Sequence, residues 1–222
     1  MRHGSVDYFR PDGTPLPPHD VPLNEAGCAQ ADAAGRLFAQ AGVRFDAALC
    51  SGLPRTLQTT ERVLAAAGQV LDVQCDQRLQ EIRPGRLESI PREQLRAAFL
   101  GVFNAQPDIE QHRFLGGESI GELLDRVLPP FEALLQAEDW RSLLIVLHGG
   151  VNRALLARAA TGQRSFFGRV EQSPACINII DVGATDDVVL RAINLTPTQW
   201  LHEHERLTTM EALLAQYQGQ TS

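Results

Sequence analysis

The chain has 222 residues, 44% of them hydrophobic, and a formal net charge of −7. This length suits one domain with a hydrophobic core, and an acidic balance without a long basic run disfavours a nucleic-acid-binding surface. The longest apolar run, at 143–147, is much shorter than the ~20 residues that a transmembrane helix needs, and no signal-peptide pattern precedes the first motif. We therefore expect a cytoplasmic protein that does not act at a membrane.

All twenty basic residues other than histidine are arginines. The absence of lysine excludes lysine Schiff-base chemistry and a P-loop lysine. Arginine also binds phosphate or carboxylate well, because its planar group can donate to two oxygens at once. The four cysteines show no C-x-x-C spacing, which disfavours a zinc knuckle and favours free thiols in a reducing compartment.

The first half of the chain predicts alternating helices and strands. A helix over 24–41 ends at Gly42, and 45–50 predicts a short buried strand. Ser51 is predicted to cap the next helix, which has Pro54 in its first turn and ends at Gly68. Residues 70–75 predict another strand.

The region from 80 to about 139 differs in being richer in Arg, Glu and Pro, and it predicts short helices joined by loops. Within it, Ser119 and Glu122 form a capping box for a helix that runs toward Leu128, where Pro129-Pro130 should disturb it. The later elements are strands at 143–147, 176–181 and 187–193, a helix from 148 to about 160, and a last helix over 208–217.

This alternation predicts an α/β fold, a three-layer α/β/α sandwich with a mainly parallel sheet. We expect a single domain over 1–222, in which about 80–139 forms an inserted helical cap subdomain over the carboxyl edge of the sheet. No repeat or low-complexity linker divides the chain.

One histidine occupies a position typical of a ligand site. His148 follows the apolar strand at 143–147 and precedes Gly149 and Gly150 at the start of a helix. Ligands bind at the carboxyl ends of such strands, and a helix N-terminus there favours phosphate. Alternatively, His148 is only a histidine at a strand end. Arg55, in the first turn after strand 45–50, should lie at the same edge.

Arg2 and His3 would complete a phosphate site with a nucleophile, because an imidazole can attack phosphorus to form a phosphohistidine. At this point the chain resembles the histidine phosphatase superfamily, which includes the cofactor-dependent phosphoglycerate mutases. The matching motifs occur in family order: Arg2-His3-Gly4; Ser51, Arg55 and Thr59; Glu81 and Gly85; Gly-Glu-Ser at 117–119; and His-Gly-Gly at 148–150.

The resemblance implies a role for each of these positions. His3 would be phosphorylated, Arg2, Arg55 and His148 would bind the phosphoryl group together with Gly149, and Glu81 would protonate the leaving oxygen. It implies a metal-independent phosphomonoester hydrolase without cofactor, acting on a small phosphorylated metabolite. Two alternatives stay open, a mutase of the same chemistry and a non-catalytic binding protein on this fold. A homodimer is also left open.

The sequence departs from the family pattern in three places, and each difference leads to a prediction. Only Met1 precedes Arg2, whereas members carry a longer strand there, so we expect either a shortened sheet edge or a start further upstream. The family's phosphate-site Asn after Arg-His-Gly is missing, and Ser5 is predicted to replace it. The loop after Glu81 lacks the basic insertion of the mutases, which favours a phosphatase.

The leaving group should be recognised by loops, here 8–22 and 82–118, and not by the phosphate site. Five aromatic residues in these loops are predicted to line an apolar pocket, unless they only pack in the core: Tyr8, Phe9, Phe99, Phe103 and Phe114.

Overall fold

A computed structural model describes residues 1–10, 14–86, 90–101, 108–183, 187–198 and 207–218. The helices are α1 Glu25–Gln40, α2 Pro54–Ala66, α3 Leu95–Leu100, α4 Ile120–Leu135, α5 Gly149–Thr161 and α6 Thr209–Tyr217. The strands are β1 Ala47–Cys50, β2 Val73–Cys75, β3 Leu143–Val146, β4 Ile177–Val182 and β5 Val188–Leu195. The elements therefore follow the predicted order, with β1 and β2 shorter than predicted.

The sheet is mainly parallel, as predicted. Strand β1 lies between β2 and β3 and pairs with both in parallel, so that Cys50 lies opposite Cys75 and Val146. Strands β4 and β5 form an antiparallel pair. The first three residues link the two parts, because His3 N donates to Leu147 O and Arg2 N donates to Cys176 O. The N-terminal segment thus places His3 beside the end of β3.

Alternating side chains of the strands build a core on each face of the sheet. Cys50 and Val146 pack with Val63 on the α1–α2 side, whereas Leu49 and Leu147 pack on the other side with α4 and α5. Because successive side chains of a strand point to opposite faces, two separate cores require helices on both sides. The three-layer α/β/α prediction is confirmed.

Several helix ends follow the predicted capping, but two predictions about helices are wrong, the cap of α2 by Ser51 and the disturbance of α4 by its prolines. Gly42 and Gly68 come just after α1 and α2 with φ of 68° and 67°, a conformation that glycine adopts without strain. Ser119 and Glu122 form the predicted capping box. The predicted disturbance at Pro129-Pro130 is wrong, since α4 continues to Leu135. Burial of its apolar face against the core outweighs the backbone bonds lost at the two prolines.

The region 80–139 contains α3, α4 and 3₁₀ turns at 92–94, 109–111 and 114–116. Helix α4 packs against α5, and α3 packs against α6 at the other end of the chain. The division into a core and a cap subdomain stays a prediction. Among the described helices, none is long and apolar enough to cross a membrane.

Candidate active site

The imidazole of His3 is fixed in one tautomer. Its Nδ1 lies 2.7 Å from the carbonyl oxygen of Gly4, and since a carbonyl only accepts, Nδ1 carries the proton. The lone pair is therefore on Nε2. Burial and, after it, the charges of Arg55 and Arg2 hold the pKa of His3 well below 6.5. At neutral pH His3 is an uncharged imidazole with an unprotonated Nε2, the form that a nucleophile needs.

The second histidine lies against the first. His148 follows β3, precedes α5 and is fully buried. Its ring centroid is 5.2 Å from that of His3, with the rings at 64°. Burial, followed by the charges of Arg55, His3 and Arg2, lowers the pKa of His148 well below 6.5. Two uncharged imidazoles therefore meet at the carboxyl end of β3, where the sequence predicts the site.

A chain of three hydroxyl and ring groups sets the tautomer of His148. Its Nε2 lies 2.7 Å from Ser51 Oγ, which lies 3.0 Å from Thr56 Oγ1. Thr56 donates its own proton to Leu53 O at 2.8 Å. Ser51 must therefore donate to Thr56 and accept from His148, which puts the His148 proton on Nε2 and leaves Nδ1 as an acceptor.

This arrangement corrects the predicted role of Ser51. The N-cap of α2 is Leu53, and no side chain caps that helix end. Ser51 binds a histidine 97 residues away, a partner that the local sequence pattern could not indicate.

Two buried arginines lie near the histidines. Arg2 is 6% exposed and donates from Nη1 to Gln172 O, and Arg55 is 2% exposed and donates from Nη1 to Pro18 O at 2.7 Å. Three buried nitrogens here find no hydrogen-bond partner within the described residues: Nε of Arg2, Nε of Arg55 and Nδ1 of His148. Because buried polar atoms in proteins are rarely unpaired, this cluster fits a bound anion such as a phosphoryl group.

Glu81 reaches the first turn of α5. Its two carboxylate oxygens accept from Ile82 N at 2.9 Å and from Gly150 N at 3.1 Å. A Cβ atom at position 150 would lie 2.6 Å from Glu81 Oε1, so a side chain there would displace the Glu81 carboxylate from this position. The second glycine of His-Gly-Gly thus allows the predicted general acid to approach the first turn of α5 closely.

The loop that carries Glu81 is held by a buried ion pair. Arg126 binds both oxygens of Glu118, at 2.9 and 2.8 Å, and also donates to the carbonyl oxygens of Arg78 and Gln80. Glu118 in turn accepts from Arg83 N at 2.9 Å. The sequence match contains Glu118 in its Gly-Glu-Ser motif but assigns it no role, and Arg126 was not singled out.

Five of the predicted residues line a cavity of about 1000 Å³: Arg2, Ser5, Arg55, Glu81 and Gly149. His3 and His148 are buried beside these residues and are not part of the cavity lining. The backbone of Ser5 is fixed by a 2.9 Å bond from its N–H to Gln30 Oε1. All the predicted site residues are therefore brought together, and their roles stay predictions.

Three residues of this region were missed. Arg153 is one helical turn after Gly149, donates to Val170 O at 2.7 Å and lies 3.5 Å from Glu171. Thr209 accepts from Arg2 Nη1 at 2.8 Å and donates to Glu171 Oε1. The spacing of four between Gly149 and Arg153 could have indicated Arg153, since such residues share a helix face. Nothing local indicates Glu171 or Thr209.

No group of three or more His, Cys, Asp or Glu side chains in the part of the chain that is described is arranged to hold a metal ion. The positive charge at the site comes from arginines, and the nucleophile is an imidazole. Arginine side chains around an imidazole nucleophile fit an anionic substrate.

Comparisons with known proteins identify the family and the fold. The Histidine phosphatase superfamily (branch 1) profile matches residues 1–196. Two relatives are 2,3-bisphosphoglycerate-dependent phosphoglycerate mutases, from Sinorhizobium fredii and Azorhizobium caulinodans. They are 32% and 34% identical over 144 residues, which span 62% of this chain and 67% and 68% of the relatives.

Solved structures of phosphatases share the fold. The alpha-ribazole phosphatase from Shigella flexneri has a TM-score of 0.69 at 25% identity, covering 87% of this chain and 94% of its own. A mycobacterial glucosyl-3-phosphoglycerate phosphatase solved with inorganic phosphate has a TM-score of 0.68 at 23% identity, covering 88% and 95%. Family and neighbours together indicate a phosphatase or a phosphotransferase. With its profile match over residues 1–196, this chain belongs to the histidine phosphatase superfamily, branch 1.

Proposed function

We propose that the protein is a phosphomonoester hydrolase that works through a phosphohistidine on His3. The observation that carries the proposal is the fixed tautomer of His3 beside three buried nitrogens that find no partner among the described residues. A phosphoryl group would give Arg2 and Arg55 charged oxygens, in place of the neutral carbonyls of Gln172 and Pro18 that their Nη1 atoms bind here.

The first step is attack of His3 Nε2 on phosphorus. A P–N bond forms, the bond from phosphorus to the leaving oxygen breaks, and Glu81 gives a proton to that oxygen. Arg2 and Arg55 stabilise the charge that develops on the phosphoryl oxygens, the main source of rate in phosphoryl transfer. His148 Nδ1 can accept from a protonated phosphoryl oxygen or, once it holds that proton, donate to it.

In the second step water attacks the phosphohistidine. Glu81, now a carboxylate, takes the proton from the water as the P–O bond forms and the P–N bond breaks. Inorganic phosphate leaves, and His3 and Glu81 return to their starting forms. No other reactant is needed.

Phosphoglycerate mutase activity is the second candidate function, because the matched sequence relatives are phosphoglycerate mutases. A mutase returns the phosphoryl group to a sugar-acid hydroxyl, whereas a hydrolase passes it to water. The absence of a basic insertion after Glu81 supports hydrolysis, since a mutase must retain its phosphorylated product.

The experiment is to trap the intermediate. Enzyme mixed briefly with radiolabelled p-nitrophenyl phosphate and quenched in alkali should carry label that acid removes, as expected for phosphohistidine. His3→Ala should carry no label, and His112→Ala, a histidine outside the site, should label like the wild type. Acid-stable label, or label on His3→Ala, would contradict the mechanism.

A second measurement separates the two candidates. With 3-phosphoglycerate, a small amount of 2,3-bisphosphoglycerate and EDTA present, a hydrolase releases inorganic phosphate and a mutase forms 2-phosphoglycerate. We expect turnover on p-nitrophenyl phosphate to be unaffected by EDTA. Loss of activity with EDTA and recovery with Mg²⁺ would contradict a metal-free mechanism.

A further inference from the structure

The cavity continues beyond the phosphoryl-binding groups and becomes largely apolar. Its apolar walls come from three parts of the chain, the N-terminal loop, the segment around α3, and α6. The residues are Val6, Tyr8, Phe9 and Leu16; Phe99, Phe114 and Leu115; and Met210 and Leu213. Of the predicted aromatic lining residues, four are present, and Phe103 lies outside the described residues.

Four charged groups of the cavity, Arg2, Arg55, Arg153 and Glu171, are bound to one another, to the backbone or to Thr209. Arg2 binds Thr209, Thr209 binds Glu171, and Glu171 lies 3.5 Å from Arg153. Arg55 binds Pro18 O and lies over the ring of Tyr8, 5.7 Å from its centroid. Arg83 and His19 also line the cavity and are exposed. The connected charges mark the phosphoryl end, and the rest of the wall offers mainly apolar surface.

Helix α6 is fixed at both of its ends to parts of this cavity. Thr209, in its first turn, links Arg2 to Glu171. Tyr217, its last residue, contacts the rings of Phe9 and Phe99, at 5.3 and 6.1 Å between centroids. The family profile ends at residue 196, so α6 lies beyond the residues that the profile matches.

We propose that α6 is the specificity element of the site, and that the cavity it closes selects phosphate esters with a bulky, largely apolar leaving group. A volume of about 1000 Å³ is that of a site for a drug-sized molecule, far more than a phosphate and a three-carbon acid would fill. This inference rests on the proposed phosphatase activity and adds the class of substrate.

The first test is a series of n-alkyl phosphates from ethyl to octyl, whose alcohols are similarly acidic, so that the series varies buried surface and not leaving-group chemistry. Each methylene that enters the apolar part should raise kcat/KM about three- to fourfold until the wall is reached. Equal kcat/KM values for all members of the series, or a preference for 3-phosphoglycerate over hexyl phosphate, would overturn this inference. Either result would leave the proposed phosphatase function standing. Absence of hydrolysis throughout would overturn the proposed function and this inference with it.

The second test assigns the preference to α6. The readout is the ratio of kcat/KM for hexyl to that for ethyl phosphate, which a general loss of activity does not change. Leu213→Asn should lower this ratio at least about fivefold. Leu37→Asn, the same change at a 42% exposed leucine of α1, is the matched control and should leave the ratio unchanged.

A second variant keeps the test valid if Leu213→Asn does not fold. Ala212 also lines the cavity from α6, and Ala212→Leu fills part of it with a residue that helices accept well. It too should lower the hexyl-to-ethyl ratio. An unchanged ratio in a folded Leu213→Asn or Ala212→Leu protein would show that α6 does not select the leaving group.

Discussion

Ser51 Oγ and His148 Nε2 are 2.7 Å apart, and this bond decides which nitrogen of His148 keeps its lone pair. The direction of the bond depends on Thr56, which accepts from Ser51 and donates to Leu53 O. If Thr56 loses its oxygen, Ser51 can donate to His148 instead, and the ring changes tautomer. Nδ1, which has no partner within the described residues, would then carry the proton.

This relationship predicts the effect of changes at position 56. Thr56→Val keeps the shape but removes the acceptor, and it should lower kcat/KM about tenfold, the equivalent of one buried hydrogen bond. Thr56→Ser keeps the oxygen and should retain activity. Ring ¹⁵N chemical shifts of His148 should report the Nε2–H tautomer in the wild type and in Thr56→Ser only. Equal activity and equal shifts in the two variants would contradict the tautomer assignment.

The buried pair of Glu118 and Arg126 predicts a stability effect and an activity effect together. Their side chains are 6% and 13% exposed, and breaking such a pair leaves a buried charge uncompensated. Glu118→Gln should lower the free energy of unfolding by about 3 kcal/mol, measured by urea denaturation. It should also lower kcat on an alkyl phosphate, because the Glu81 loop loses its anchor.

The matched control for this change is Asp181→Asn, at an ion pair with Arg191 whose side chains are 54% and 61% exposed. An exposed pair contributes about 1 kcal/mol at most, and this one lies on β4, away from the Glu81 loop. Similar losses of stability in the two variants would contradict the claim that burial makes the Glu118 pair important.

The sequence predicts the site where each residue follows a local signal. His148 follows β3 closely and Arg55 lies in the first turn of the helix after β1, and the parallel sheet brings those strand ends together. Ser51 was misassigned because a serine before a helix normally caps it, and only the folded chain brings His148 to it. Thr209 gives no local signal, since its partner Arg2 is 207 residues away. Contacts of this kind depend on how whole elements pack, which residue spacing does not encode.

The two histidines predict a fall in stability at mildly acidic pH. Folding lowers the pKa of both below 6.5, so below that pH the unfolded chain binds protons that the folded chain does not. Their contribution to stability is complete above about pH 7 and is lost as the pH falls from 6.5 toward their folded-state pKa values. Each should account for at most about 1.4 kcal/mol per pH unit in that range.

Urea denaturation at pH 7.5, 6.5 and 5.5, without phosphate, measures this dependence. His148→Gln should show a shallower loss of stability between 6.5 and 5.5 than the wild type, by about 1 kcal/mol, because the unfolded histidine is already half protonated at pH 6.5. His112→Gln, outside the site, is the control and should follow the wild type. If His148→Gln and the wild type lose stability in parallel, His148 does not have a lowered pKa in the folded protein.

Glu81 gives the sharpest test of the chemistry, because loss of its proton affects some leaving groups and not others. An alkoxide leaves poorly without a proton, whereas p-nitrophenolate departs unaided. Glu81→Gln should therefore lower kcat on butyl phosphate by about 10²–10⁴, the usual contribution of a general acid, and kcat on p-nitrophenyl phosphate much less. The measurement is kcat for both esters in the wild type and the variant.

The structure explains why the comparison of two esters is needed. Both oxygens of Glu81 accept from backbone N–H groups of Ile82 and Gly150. A glutamine has one oxygen, so its amide N–H₂ must face one of these donors, and the side chain will shift. Such a shift of the glutamine side chain should lower kcat for both esters alike, whereas the loss of the proton should lower kcat for the alkyl ester only. Glu118→Gln keeps the carboxyl group of Glu81 and only removes the anchor of its loop, so it should lower kcat on butyl phosphate less than Glu81→Gln does. If Glu81→Gln lowers kcat for both esters by the same factor, Glu81 positions its loop and another group protonates the leaving oxygen.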